Sequence, residues 1–513
     1  MLIAVGSALA GLFVVSTVLL SQGNSLAHLC FYLLIGGGIY GLLAPRSAFY
    51  LWIIACAYSD LLKRLTVVFG EVNKMDLIYV LGITPVMFSG IVVSLIIGGL
   101  SGAYNVRMNH WVLLLSCTVA TLGLGFMDMR ASGSAMNAAQ GLANGGLYSL
   151  LLFVVPVLFP KPQQMLGVFR FMLYVFFPVA VYGITQQVYG FQAFEIAYLR
   201  TGLSIEIKQL FADNVRAFST LNSPTALATI SAAMIVVCSF LARLPQPVPN
   251  QARRWVGKVS AVVLLAVYAG ALVASTGRSA AIVILLGIPS AWCFLKPGRT
   301  RVFYAASLGG FIALVAASPF LLSHIDEANR WVGSRVSSES FASQLSTLGT
   351  YSDRLFGFAH VLPNPAAYSL FGKWNGNLET LPAELHHHDL ISALLLRFGI
   401  VPLLFGAVLV TRILRTLHKK LYGIEDATVK RLMAMSLGLA FALVALSAVS
   451  GNVLVVFPIN VCLWMALSTA VLCTRGPSKE ISARIMTRSD IDVASLAGRT
   501  PGAERFKPSR ATI

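Results

Sequence analysis

Windows of about 18 to 25 residues nearly free of charge recur along the whole chain, separated by short polar connections. That is the length an α-helix needs, at about 1.5 Å rise per residue, to cross a hydrocarbon layer of about 30 Å. The windows fall at 2–20, 26–44, 47–66, 77–100, 110–127, 137–160, 165–189, 223–243, 257–275, 279–296, 302–323, 389–411, 433–450 and 453–473. The pattern predicts fourteen spans, or twelve if two of them lie tilted or at the interface. Those two are 26–44, rich in glycine, and 47–66, which carries Asp60, Lys63 and Arg64 near its end. The one sizeable polar stretch, 324–388, interrupts the series. The expected fold is therefore an all-α membrane protein: a polytopic bundle of 12 to 14 transmembrane helices with one large helical extracytoplasmic loop. Its parts are transmembrane helices over 1–323, the loop domain over 324–388, three last spans over 389–473 and a flexible basic cytoplasmic tail over 474–513.

Composition agrees. Of 513 residues, 57% are hydrophobic and 11% charged, whereas soluble domains carry about a quarter charged residues. Lysine and arginine collect on the cytoplasmic side of membrane proteins. An inside N-terminus places Arg46, Arg107, Lys161, the group from Arg243 to Lys258, Lys296 to Arg301, Arg412 to Arg431 and the tail on that side, which holds most of the 38 cations. Both termini are then cytoplasmic, and the mildly acidic stretch 324–388 lies outside. The net charge of +18 is thus a topogenic and anionic-lipid feature, and nucleic acid is not an expected partner. All seven cysteines lie in or at the ends of apolar windows, where they serve as small apolar residues. No disulfide, metal or cofactor is expected. The first window follows Met1 without a basic segment or a small-residue cleavage site and reads as a retained span.

A hydrocarbon core tolerates few charges, so polar residues at span ends carry the chemical information. Three places on the outer face stand out. In Arg216-Ala217-Phe218-Ser219-Thr220-Leu221-Asn222-Ser223-Pro224, Asn222 or Ser223 can cap the next helix and Pro224 suits its first turn. An arginine beside a helix N-terminus makes a phosphate site, or simply a capped helix with an arginine reaching for the interface. In Ser275-Thr276-Gly277-Arg278-Ser279, a turn of about three residues pins Arg278 at the surface, where a guanidinium can fork two phosphate oxygens; a topological turn with a solvated arginine is the plainer alternative. The third place is His386-His387-His388-Asp389, which opens an apolar helix. A neutral imidazole there can accept a hydroxyl proton during attack. An interfacial run with Asp389 complementing the helix dipole accounts for the same residues, and no familiar ligand spacing favours a metal. Arg397 lies deeper in the same helix on the face opposite His388, and Gln186, Gln187, His324 and His360 read as structural.

These stretches resemble the bacterial O-antigen ligase and O-antigen polymerase group of polytopic glycosyltransferases. Arg216 to Ala228 is similar to the family's arginine, turn and asparagine-proline-x-x-leucine-alanine pattern, with Ser223 where asparagine is usual. Ser275 to Ser279 is similar to its short arginine turn. Ser352-Asp353-Arg354 followed by Leu370-Phe371-Gly372 is similar to the segment before the catalytic helix. His388 to Gly399 is similar to the histidine-asparagine-x-x-leucine stretch ending in glycine, with Asp389 in place of the asparagine and Ile391 in place of the usual aromatic. The likeness covers about 216–400; before residue 200 only the row of apolar spans is shared. It implies metal-independent transfer of a glycan from an undecaprenyl diphosphate carrier to an acceptor hydroxyl, of lipid A core or of another carrier-linked repeat, at the periplasmic face of the bacterial inner membrane. Arg216 and Arg278 would neutralise the departing diphosphate, His388 or His387 would be the general base, and Arg354 would position sugar or phosphate. The motifs are shared by ligases and polymerases. A transporter or flippase for lipid-linked sugar would also want arginines in a polar cavity, but such proteins usually carry related halves, and no internal repeat stands out here.

Overall fold

The computed structural model describes residues 25–70, 77–132, 139, 141–143, 145–201, 216–244, 255–310, 312–313, 361, 365–371, 390–449 and 456–474. By contacts the chain divides into one unit over 1–473 and another over 474–513. All regular structure among the described residues is helical. The long helices are α1 (Ser25–Leu43), α2 (Pro45–Gly70), α3 (Leu77–Leu100), α4 (Met108–Ser132), α5 (Leu151–Leu158, after a 3-10 turn at Gly146–Leu150), α6 (Pro162–Tyr189), α7 (Ala193–Arg200), α8 (Pro224–Leu241), α9 (Lys258–Ala274), α10 (Ala281–Cys293, after a 3-10 turn at Arg278–Ala280), α11 (Leu390–Phe398), α12 (Ile400–Tyr422), α13 (Ala427–Val449) and α14 (Ile459–Cys473).

Among the described residues, six helical stretches are long and apolar enough to cross a membrane: Leu77–Leu100, Gly141–Leu158, Pro162–Tyr189, Pro224–Leu241, Ile400–Tyr422 and Ala427–Ala448. Five shorter ones, including Lys258–Ala274 and Ile459–Cys473, are apolar as well. The protein is thus an all-α, membrane-embedded chain. The window expected at 389–411 is not one helix. Gly399, at φ +83, a conformation that suits glycine, separates α11 from α12, and α12 continues to Tyr422. The expected loop domain, apart from 361 and 365–371, and the basic tail beyond Thr474 lie outside the described residues.

The core is centred on α8, the most enclosed of the six candidate spans. Its Ala226, Ala228, Ala232 and Ala233 are fully buried, and small side chains let α6, α9, α10, α13 and α14 close in around it. The glycines of 26–44, which made that window look like a poor span, form a packing face. A methyl group on Gly41 would strike the Met87 carbonyl of α3, and one on Gly90 would strike the Gly38 carbonyl, so α1 and α3 touch backbone to backbone. Gly90→Ala is expected to force these helices apart, at a cost of about 1 to 3 kcal/mol for an overpacked contact. A lowered thermal midpoint of the detergent-purified protein checks this.

Candidate functional site

Residues 216–223 link the segment before α8 to its first turn. Ser223 caps α8, its Oγ accepting from the Ala226 N–H at 3.2 Å, and Pro224 takes the first helical position, where no N–H is needed. The cap residue is held by its neighbour: Asn222 meets the Ser223 hydroxyl at 3.2 Å and donates from Nδ2 to the Phe457 carbonyl, 3.1 Å away, just before α14.

This loop lies against the turn joining α9 to α10. The Ala217 N–H donates to the Ala274 carbonyl at 3.3 Å, and Arg216 donates from Nε to the Thr276 hydroxyl. The Thr276 carbonyl accepts the Arg278 N–H at 3.0 Å. One threonine therefore receives Arg216 through its side chain and the backbone of Arg278 through its main chain. Both arginines are half-buried. Gly277 sits so close to α8 that an added Cβ would collide with the Ala228 methyl, which fixes the turn against the helix.

Each segment contains a non-glycine residue in the left-handed region: Ser219 at φ 56 and Thr276 at φ 52. For a β-branched threonine this is a real outlier, and such residues cost about 1 to 3 kcal/mol each unless their surroundings over-determine them. The surroundings do so here. The Ser219 N–H donates to Gln186 Oε1 at 2.6 Å and its hydroxyl donates to the Val179 carbonyl of α6. The Thr276 N–H donates to the Val273 carbonyl at 2.9 Å.

Beneath the loop is a buried ion pair that pattern reading did not anticipate. Arg64 of α2 and Glu195 of α7 pair at 3.2 Å with relative side-chain exposures of 2% and 0%. Arg64 also donates from Nε to the Asp60 carbonyl at 3.2 Å and from Nη2 to the Leu221 carbonyl at 2.8 Å, and its guanidinium lies 4.5 Å from the centre of the Phe218 ring. Glu195 accepts from the Gln186 amide and, through Oε2, from the Gln192 N–H at 3.0 Å. Gln186 Oε1 in turn accepts from both Phe218 and Ser219 N–H groups. Thr220 donates to the Ala57 carbonyl of α2 at 2.7 Å. Of the charges in 47–66, Asp60 pairs with Lys63 at 3.0 Å and Arg64 points into the protein; the helix that carries them is not among the six long apolar stretches. Gln186, read from sequence as structural, is the joint between ion pair and loop.

His387, His388 and Arg354 lie outside the described residues, as does the side chain of Arg397. Of the five residues expected at the site, Arg216 and Arg278 are therefore the two with a described environment, and Thr276 brings them together. Among the described residues, no three His, Cys, Asp or Glu side chains gather as metal ligands do. Chemically, the arrangement offers two arginine-bearing segments meeting at one turn, a setting suited to an anion. Compared with family models, curated proteins and solved structures, the chain matches none.

Removing one partner of a buried ion pair strands the other charge, which typically costs about 3 to 5 kcal/mol. Glu195→Ala should therefore lower the thermal midpoint sharply. Adding Arg64→Leu to it should recover a large part of the loss, because no charge then remains unpaired. Additive losses in the double variant would show that the two side chains do not interact.

Proposed function

We propose that the chain is a membrane glycosyltransferase of the O-antigen ligase or polymerase kind, acting on an undecaprenyl diphosphate-linked glycan at the periplasmic face of the bacterial inner membrane, with both termini in the cytoplasm. The observation that carries this reading is the meeting of the Arg216 loop and the Arg278 turn at Thr276, beside the capped N-terminus of α8. Two arginine-bearing segments at one place match a group carrying two linked phosphates better than a single anion.

In the reaction, the acceptor hydroxyl attacks the anomeric carbon of the donor sugar and gives its proton to His388, or to His387 if the helix begins one residue earlier. The bond between that carbon and the diphosphate oxygen breaks, and the diphosphate leaves with the electron pair. Charge grows on the leaving group during this step, and Arg216 and Arg278 stabilise it where it develops. Arg354 positions sugar or phosphate. The acceptor is lipid A core for a ligase and a carrier-linked repeat for a polymerase; the carrier's chain remains among membrane lipids throughout.

The test is glycan profiling in a strain deleted for the chromosomal copy and complemented with wild type or a variant at matched membrane abundance. Arg216→Ala and Arg278→Ala should each lower transfer by about 100-fold or more, the loss expected for a preorganised charge-stabilising donor. His388→Ala should lower it by about 100 to 10,000-fold, unless His387 serves as the base. Carrier-linked sugar should accumulate in each case. Wild-type glycan from all three variants would overturn the reading and favour transport of a lipid-linked sugar.

A further inference from the structure

The loop bearing Arg216 is held in part by bonds of its own, to the Ala274, Val179, Ala57 and Phe457 carbonyls. The middle of the loop, however, leads back to one buried unit: Phe218 and Ser219 donate to Gln186, the Leu221 carbonyl accepts from Arg64, and the Phe218 ring lies on the Arg64 guanidinium. Gln186 is itself held by Glu195, and Glu195 by Arg64. Arg64, Gln186 and Glu195 are each 1% exposed or less. A buried arginine and glutamate are costly to desolvate, and the same fold could satisfy a short loop with neutral groups. What a charge pair adds is directional: a guanidinium donating to the Asp60 carbonyl, Glu195 and the Leu221 carbonyl fixes all three acceptors relative to one another.

We propose that Arg64, Glu195 and Gln186 are positioning residues that hold the Arg216 loop against the Thr276 turn, and that this spacing lets the site distinguish a diphosphate from a monophosphate. The inference rests on the reading of Arg216 and Arg278 as diphosphate-binding residues. Two segments joined at Thr276, each carrying an arginine, can engage two linked phosphates together. If the loop moves away from the turn, a diphosphate meets one guanidinium at a time and binds no better than a monophosphate. Discrimination, rather than phosphate binding itself, is therefore what the buried pair controls. None of the three residues touches the ligand; they act through Arg216.

The two variants that separate this from a purely structural role are Arg64→Lys and Gln186→Met. Lysine keeps the charge pair with Glu195, and with it the fold, but a single ammonium cannot serve three separated acceptors and stack on Phe218. Gln186→Met leaves Arg64 paired and removes only the acceptor for the Phe218 and Ser219 N–H groups, so it keeps the test open if Arg64→Lys does not fold. Full-length protein in lipid nanodiscs is titrated calorimetrically with farnesyl diphosphate and with farnesyl monophosphate. Wild type should bind the diphosphate at least about tenfold more tightly, as expected for a second charge-assisted contact worth about 1.4 kcal/mol or more. Arg64→Lys and Gln186→Met should each lose that preference, with diphosphate affinity falling about tenfold and monophosphate affinity changing less than about twofold. Combined with Arg216→Ala, neither should weaken diphosphate binding further, because the residue they position is already gone. Retained discrimination in both variants, with Arg216→Ala still weakened, would overturn this inference alone. Diphosphate binding by Arg216→Ala and Arg278→Ala equal to wild type would overturn the reading beneath it and this inference with it.

Discussion

A charge buried away from both water and lipid must find all its partners inside the protein, and the pairing of Arg64 with Glu195 is the point at which this chain meets that requirement. Desolvating each ion costs several kcal/mol, so neither residue is there for stability alone. The pair joins elements that are distant in sequence. It ties the end of α2 to α7, through Gln186 to the end of α6, and through the Leu221 carbonyl to the segment that opens α8. Because α8 is the pillar around which five other helices close, a fixed start for α8 is also a fixed frame for the bundle.

The same unit helps to hold strained backbone at Ser219, through Gln186, while Thr276 is held by bonds within its own turn and to Arg216. Ser219 and Thr276 both occupy the left-handed region, and each is surrounded by hydrogen bonds that leave it no alternative. Thr276 is the more telling case, because a β-branched residue at φ 52 is tolerated where glycine would be easier, and its hydroxyl is what receives Arg216. Retaining a side chain at a strained position is what a site needs when that side chain orients another. The neighbouring Gly277 does the complementary task, giving the turn its close approach to α8.

Hydropathy alone was enough to read an all-helical membrane chain, and helices such as Leu77–Leu100 and Pro224–Leu241 fall within a residue or two of their apolar windows. Local chemistry was legible too: the sequence offered Asn222 or Ser223 as the cap with Pro224 in the first turn, and Ser223 is the cap. Two kinds of feature escaped. The break at Gly399 lies inside a window read as one span, where hydropathy carries no information on backbone dihedrals and the hints were Gly399 itself and Pro402 in the first turn of α12. The ion pair escaped because its partners are 131 residues apart, and periodicity reports which face of a helix is apolar, not which residue of another helix meets it. A signal was nevertheless present. Arg64 within an apolar window demands a partner, and Glu195 is an acidic residue close to the end of another span. For Arg216 and Arg278 the short turn and the cap pattern suggested a shared level, but their junction at Thr276 is a tertiary fact.

The central claim is that the loop and turn joined at Thr276 form one diphosphate site above α8. Cryo-electron microscopy of the full-length protein in nanodiscs containing undecaprenyl diphosphate tests it most directly. The account predicts density for the two phosphates between Arg216 and Arg278, within hydrogen-bonding distance of both guanidinium groups and facing the first turn of α8, with the polyprenyl chain leading into lipid. Ordered diphosphate elsewhere on the protein, with Arg216 and Arg278 making no contact to it, would contradict the account.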